Sequence, residues 1–130
     1  MGQVYRVQDH ILGRDMALKV LRPELARKEQ QVARFIEEAQ VTARLQHPGV
    51  VPIYALGALP NGRVGFTMQR IHGKTLDKVI QAVHQASTEG QWKVEPEGWS
   101  FRRLMDAFHR VCETMAYAHS QGVIHLDLKP

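Results

Sequence analysis

The sequence predicts an α+β fold: a small antiparallel sheet carrying one helix, followed by a part built mostly of helices. Three observations predict it. Arg14–Leu21 alternates as a strand does, Pro60-Asn61-Gly62 divides two strand-like runs, and beyond Gly73 the apolar residues follow a helical period.

The elements follow in order. GQVYRVQ, residues 2–8, carries Val4 and Val7 near its ends and reads as a strand, closed by a turn at Gly13 and Asp15. RDMALKVL, residues 14–21, is a second strand, with Met16, Leu18 and Val20 on one face and Ala17, Lys19 and Leu21 on the other; Pro23 ends it. Residues 28–46 form a helix whose apolar stripe is Val32, Phe35, Ile36, Ala39, Ala43 and Leu45, stopped by His47-Pro48-Gly49. Strands are expected over residues 50–59 and 63–71, joined by Pro60-Asn61-Gly62, because asparagine and glycine tolerate positive φ.

Residues 71–74 read as a linker. Thr75 is expected to cap a helix to Ala86 that carries Leu76, Val79, Ile80 and Val83, and residues 87–98 read as an exposed polar loop. Ser100 caps a strongly amphipathic helix bearing Phe101, Leu104, Met105, Phe108, Val111, Cys112 and Met115. Gly122 ends it, and a short extended piece begins at Val123. Two parts are therefore expected, residues 1–71 and 72–130.

Composition excludes several classes. The 130 residues are 44% hydrophobic and 23% charged, which rules out a disordered chain. No apolar run approaches the roughly 20 residues that span a bilayer, and no secretion signal opens the chain, so no membrane contact by this segment is expected. The net charge of +4 comes from dispersed lysines and arginines without interleaved aromatics, so nucleic acid is not an expected partner. Cys112 is the only cysteine; no internal disulfide can form, and its neighbours Val111 and Met115 predict a buried, inert thiol. His84, His109 and His119 lack the spacing and the company of a zinc site, and no metal ligands are assigned.

The candidate chemistry lies in three places. Lys19 sits on a mostly apolar strand face, where it either snorkels to water at an edge or meets an anion. Glu38 lies beside the apolar stripe of the first helix; it is either a solvated helical acid or the partner that holds Lys19 against a phosphate. Asp127 and Lys129 are two residues apart in an extended loop, so both heads point the same way. Such a pair is an ordinary charged turn, or a carboxylate that accepts a hydroxyl proton beside an ammonium that neutralises a transferring phosphoryl group.

Taken together and in order, GQVY, MALK, FIEEAQVTARLQHPGVVPIY and HLDLKP resemble the signature set of the protein kinases, and in particular the eukaryotic-like bacterial serine/threonine kinases. The resemblance covers nearly the whole chain and implies a two-lobed, protein-kinase-like α+β fold. It further implies transfer of the ATP γ-phosphate to serine or threonine of a protein substrate, with Mg²⁺, in the cytoplasm. By resemblance, Gly2 and Val4 are the tail of the glycine-rich loop and Ala17 lines the adenine pocket. Lys19 holds the α- and β-phosphates and Glu38 orients it. Met68 matches the gatekeeper and Gln69, Arg70 and Ile71 the hinge, with backbone groups of Gln69 and Ile71 bonding the adenine edge. Asp127 accepts the substrate hydroxyl's proton and Lys129 steadies the γ-phosphate.

The sequence also departs from that pattern. Leu126 stands where the family carries the arginine of H-R-D, so control through a phosphorylated activation loop is not expected, although the base is kept. The chain is expected to be a truncated domain that begins inside the glycine-rich loop and stops before the family's metal-binding asparagine and D-F-G aspartate. Alone it is expected to transfer negligible phosphate and to expose Phe101, Phe108 and Met115. The alternative is a pseudokinase-like module that binds nucleotide or a partner without transferring phosphate.

Overall fold

The computed structural model describes residues 2–87 and 98–130. The chain divides into two compact units, Met1–Ile71 and His72–Pro130.

The first unit is a sheet with one helix. Its strands are β1 (Gly2–Asp9), β2 (Arg14–Leu21), β3 (Ile53–Ala58) and β4 (Val64–Gln69), and α1 (Glu29–Arg44) lies between β2 and β3 in the chain. All pairings are antiparallel and the order is β1-β2-β4-β3, which puts β2 inside the sheet with a partner on each side. Two turns set the registers. Between β1 and β2 the Asp9 carboxylate accepts the N–H groups of Ile11 and Leu12, both at 3.1 Å, and Gly13 takes a φ of 65°. The Leu12 N–H is the main reason the Asp9 carboxyl is held below its ordinary value, with Ile11 and Arg14 adding to it against some desolvation. Between β3 and β4 the Gly62 N–H donates to Leu59 at 2.8 Å, and Gly62 adopts φ 76°.

Directly paired residues share a sheet face. Ala17, Lys19 and Leu21 of β2 therefore share theirs with Phe66 and Met68 of β4 and with Val4 of β1. α1 packs on this face. Leu21, Phe35, Ala39 and Phe66 form the buried core, with Val32, Ile53, Val64 and Met68 packed around it. The Phe35 and Phe66 rings meet at 5.1 Å, tilted by 41°.

Three sequence expectations change in this unit. β3 begins at Ile53 and not at Val50, because residues 47–50 close a turn in which the Val50 N–H donates to His47 at 2.9 Å. α1 ends at Arg44, before His47-Pro48-Gly49, with Leu45 as an extended cap residue. Ala43, assigned to the apolar stripe, is exposed.

The second unit holds α2 (Leu76–Ala86) and α3 (Phe101–Ser120). Val79, Val83 and Leu104 form its core, with Leu76, Ile80 and Trp99 around them. Ser100 caps α3 by accepting the Arg103 N–H at 3.3 Å. Thr75 occupies the same position on α2, yet its side chain makes no cap hydrogen bond. The α3 stripe is covered only in part: Leu104 is buried, Met115 is half-buried, and Phe101, Met105 and Phe108 are exposed. Cys112 is exposed too, which overturns the expected buried thiol; its apolar neighbours do not cover it. The piece beginning at Val123 joins no strand. Most of the expected exposed loop, residues 88–97, lies outside the described residues. Among the described residues no helix is long and apolar enough to cross a membrane.

Candidate active site

Lys19 sits on an interior strand, opposite Val4 on one side and Phe66 on the other. Its side chain is 21% exposed, and a partly buried lysine needs a partner. α1 supplies one. Phe35 and Ala39 are the buried residues of the helix, and Glu38, three and one positions away, is brought to the edge of the same packed face. The Lys19 Nζ donates to Glu38 Oε1 in an ion pair. The ammonium also lies 5.5 Å from the Phe66 ring centre and 5.8 Å from that of Phe35, within reach of a cation–π attraction. One turn on, Thr42 Oγ1 donates to the Glu38 carbonyl at 2.7 Å.

Gly2 lies against the lysine stem: a Cβ built there would stand 3.0 Å from Lys19 Cγ and 3.1 Å from Lys19 Cε. The absence of a side chain at Gly2 therefore leaves room for the Lys19 stem beside it.

Further along the same face is a cavity of ≈ 350 Å³. Val4, Ala17, Met68, Gln69 and Ile71 line it, and so do Tyr5, Arg6, Val51 and Arg70. Of the residues assigned to nucleotide, Gly2 and Lys19 lie outside this lining, toward the α1 end of the face. Tyr5, Arg6 and Val51 were not singled out from the sequence. Arg6 was within reach, since it lies two residues beyond Val4 on a strand and so shares its face. The Gln69 N–H is already used, donating to the Pro52 carbonyl at 3.1 Å.

Asp127 and Lys129 belong to the second unit. Lys129 Nζ lies 3.0 Å from Asp127 Oδ2, and both side chains are exposed. Leu126, just before them, has a φ of 24°, in the left-handed region. Among the described residues no group of three or more histidines, cysteines or acids could hold a metal ion.

An antiparallel sheet, a single helix giving a glutamate to an interior-strand lysine, and an adjoining apolar cavity define the small lobe of a kinase-type fold. The comparisons agree with that class. The protein kinase domain family matches residues 1–130, and the chain belongs to it. It is 38% identical over 130 residues to the serine/threonine-protein kinase PknD of Chlamydia caviae and 39% identical to that of Chlamydia pneumoniae. Each match covers 100% of this chain and 14% of the relative, so the chain spans about one-seventh of the length of these curated relatives. The crystal structure of the M. tuberculosis PknI kinase domain superposes with a TM-score of 0.67 at 29% identity, covering 100% of this chain and 47% of that one.

Proposed function

We propose that the chain carries the ATP-binding lobe and the opening of the catalytic loop of a cytoplasmic protein serine/threonine kinase. The observation that carries the reading is the Lys19–Glu38 ion pair, set two residues along β2 from Ala17 and its cavity. Two strand residues span about 7 Å. A purine held between Val4, Ala17 and Met68 would thus send its phosphates along the face toward Lys19. With its N–H taken by Pro52, Gln69 has its carbonyl to offer the purine edge, and Ile71 contributes its main chain.

Glu38 keeps the ammonium aimed, and Lys19 neutralises the α- and β-phosphates. In the transfer step the oxygen of a substrate serine or threonine bonds to the γ-phosphorus and its proton passes to the Asp127 carboxylate. The bond from the γ-phosphorus to the bridging oxygen breaks, and ADP leaves. Lys129 steadies the γ-phosphate. Membership of the family implies Mg²⁺ as well, but the described residues assemble no group of ligands for it.

The test is ATP-dependent thermal stabilisation of the chain. ATP is expected to raise the Tm of the wild type and to leave Lys19→Met nearly unmoved, since a ligand that binds only the folded state stabilises it. An unshifted wild type, or an equal shift in Lys19→Met, would sink the reading.

A further inference from the structure

Two arginines line the cavity, and one carboxylate holds both. Asp15 Oδ2 accepts from Arg6 Nη2 at 2.7 Å and from Arg70 Nη1 at 3.0 Å. The three residues come from three segments: Arg6 from β1, Asp15 from the start of β2, and Arg70 from just past β4. Register explains the meeting. Met16 faces Gln69, so the next step outward sets Asp15 beside Arg70, while Arg6, opposite Ala17, is the diagonal neighbour of Asp15 on the same face.

The position of Arg70 gives the contact its consequence. The β2–β4 ladder ends at Met16–Gln69, so Arg70 is the first residue beyond its hydrogen bonds. Ile71, which also lines the cavity, follows directly. Where the ladder stops, the Arg70 side chain ties the segment back to β2, and Asp15 is steadied in turn by Arg6.

We infer that Asp15 is a positioning residue for nucleotide: through Arg70 it fixes the main chain of residues 70–71 against the base-binding cavity. This rests on the reading of that cavity as the purine site. Exposed ion pairs contribute little to stability. The effect therefore falls on the geometry of the segment and hardly at all on the fold. The role is also local, since a phosphate chain without a base meets Lys19 and does not touch the Asp15 end of the face.

The experiment titrates the 130-residue chain with ATP and, separately, with inorganic tripolyphosphate, following backbone amide shifts. Asp15→Asn keeps the shape and removes the charge. It is expected to weaken ATP binding by about three- to tenfold while leaving tripolyphosphate binding and Tm nearly unchanged. Asp15→Glu, which keeps a carboxylate, should restore most of the ATP affinity. A purely structural Asp15 would move Tm, or both ligands together, and that result overturns the inference. Ala17→Phe separates the two claims, because it fills the cavity without touching Asp15. If Ala17→Phe weakens ATP and Asp15→Asn leaves the ATP-to-tripolyphosphate ratio unchanged, the Asp15 role alone is wrong. If Ala17→Phe leaves ATP binding intact, or the wild type binds no ATP, the purine site is wrong and this inference falls with it.

Discussion

Gly2 sits beside the Lys19 stem across β1 and β2, and a methyl group at residue 2 would fit only if a neighbour shifted by a few tenths of an ångström. A Cβ there would come within 3.2 Å of the Val20 carbonyl oxygen as well as 3.0 Å from the lysine Cγ. The backbone oxygen cannot easily yield, whereas the lysine stem can. Gly2→Ala is therefore expected to displace Lys19 from Glu38 more than it destabilises the sheet. Titration should show weaker ATP binding with a small change in Tm; unchanged ATP affinity would mean that the stem relaxes without losing its aim.

Removing the other partner has a different signature. Glu38→Gln leaves the Lys19 ammonium partly buried against Phe35 and Phe66 with no counter-charge. The pair is neither fully exposed nor fully buried, so the expected loss lies between those limits, about 1–2 kcal/mol in urea unfolding. Glu37→Gln, on the exposed neighbour, should be nearly silent. Equal losses in the two variants would remove the special standing of Glu38.

The sheet unit depends on one ring more than on any charge. Phe35 is fully buried in the Leu21–Ala39–Phe66 core. Phe35→Ala is expected to cost about 3–5 kcal/mol. In a unit of this size that is a large share of the total stability, and loss of cooperative unfolding by circular dichroism is the expected readout. A mild loss below about 1 kcal/mol would show that the core collapses around the cavity.

Acid should loosen the β1–β2 turn through Asp9. Its folded-state pKa lies below the ordinary 3.8, chiefly because the ionised carboxylate accepts the Leu12 N–H. Such a group contributes stability that is fully present above 3.8 and is lost as the pH falls through the lower folded value. Amide exchange at Leu12 should quicken across that acid window relative to Asp9→Asn, which does not titrate there. Parallel pH profiles in the two proteins would refute the role of Asp9.

Much of the fold is legible from local pattern. Strand alternation marked β1 and β2, Pro60-Asn61-Gly62 marked the β3–β4 turn, and helical period marked α1, α2 and α3, because each signal lies within a few neighbouring residues. The family was legible for a related reason: MALK, the helix glutamate and HLDLKP stand in an order that a linear reading can hold. The boundaries were less so. Val50 and Val51 are as apolar as a strand requires, yet they fall outside β3, since a ladder needs a partner as well as a pattern.

By itself, then, the sequence determined the types and order of β1 to β4 and α1 to α3, the family and the residues that could carry charge chemistry. Only the tertiary structure decided between the two fates of Lys19, because snorkelling or pairing depends on what packs over its face, and α1 arrives from another part of the chain. The same holds for Cys112, whose helical stripe promised burial that no other described element provides. It holds also for Arg6, Asp15 and Arg70, whose meeting is set by strand register. Periodicity tells which side of an element is apolar; what covers that side, and which distant charge stands opposite, is decided when the chain folds.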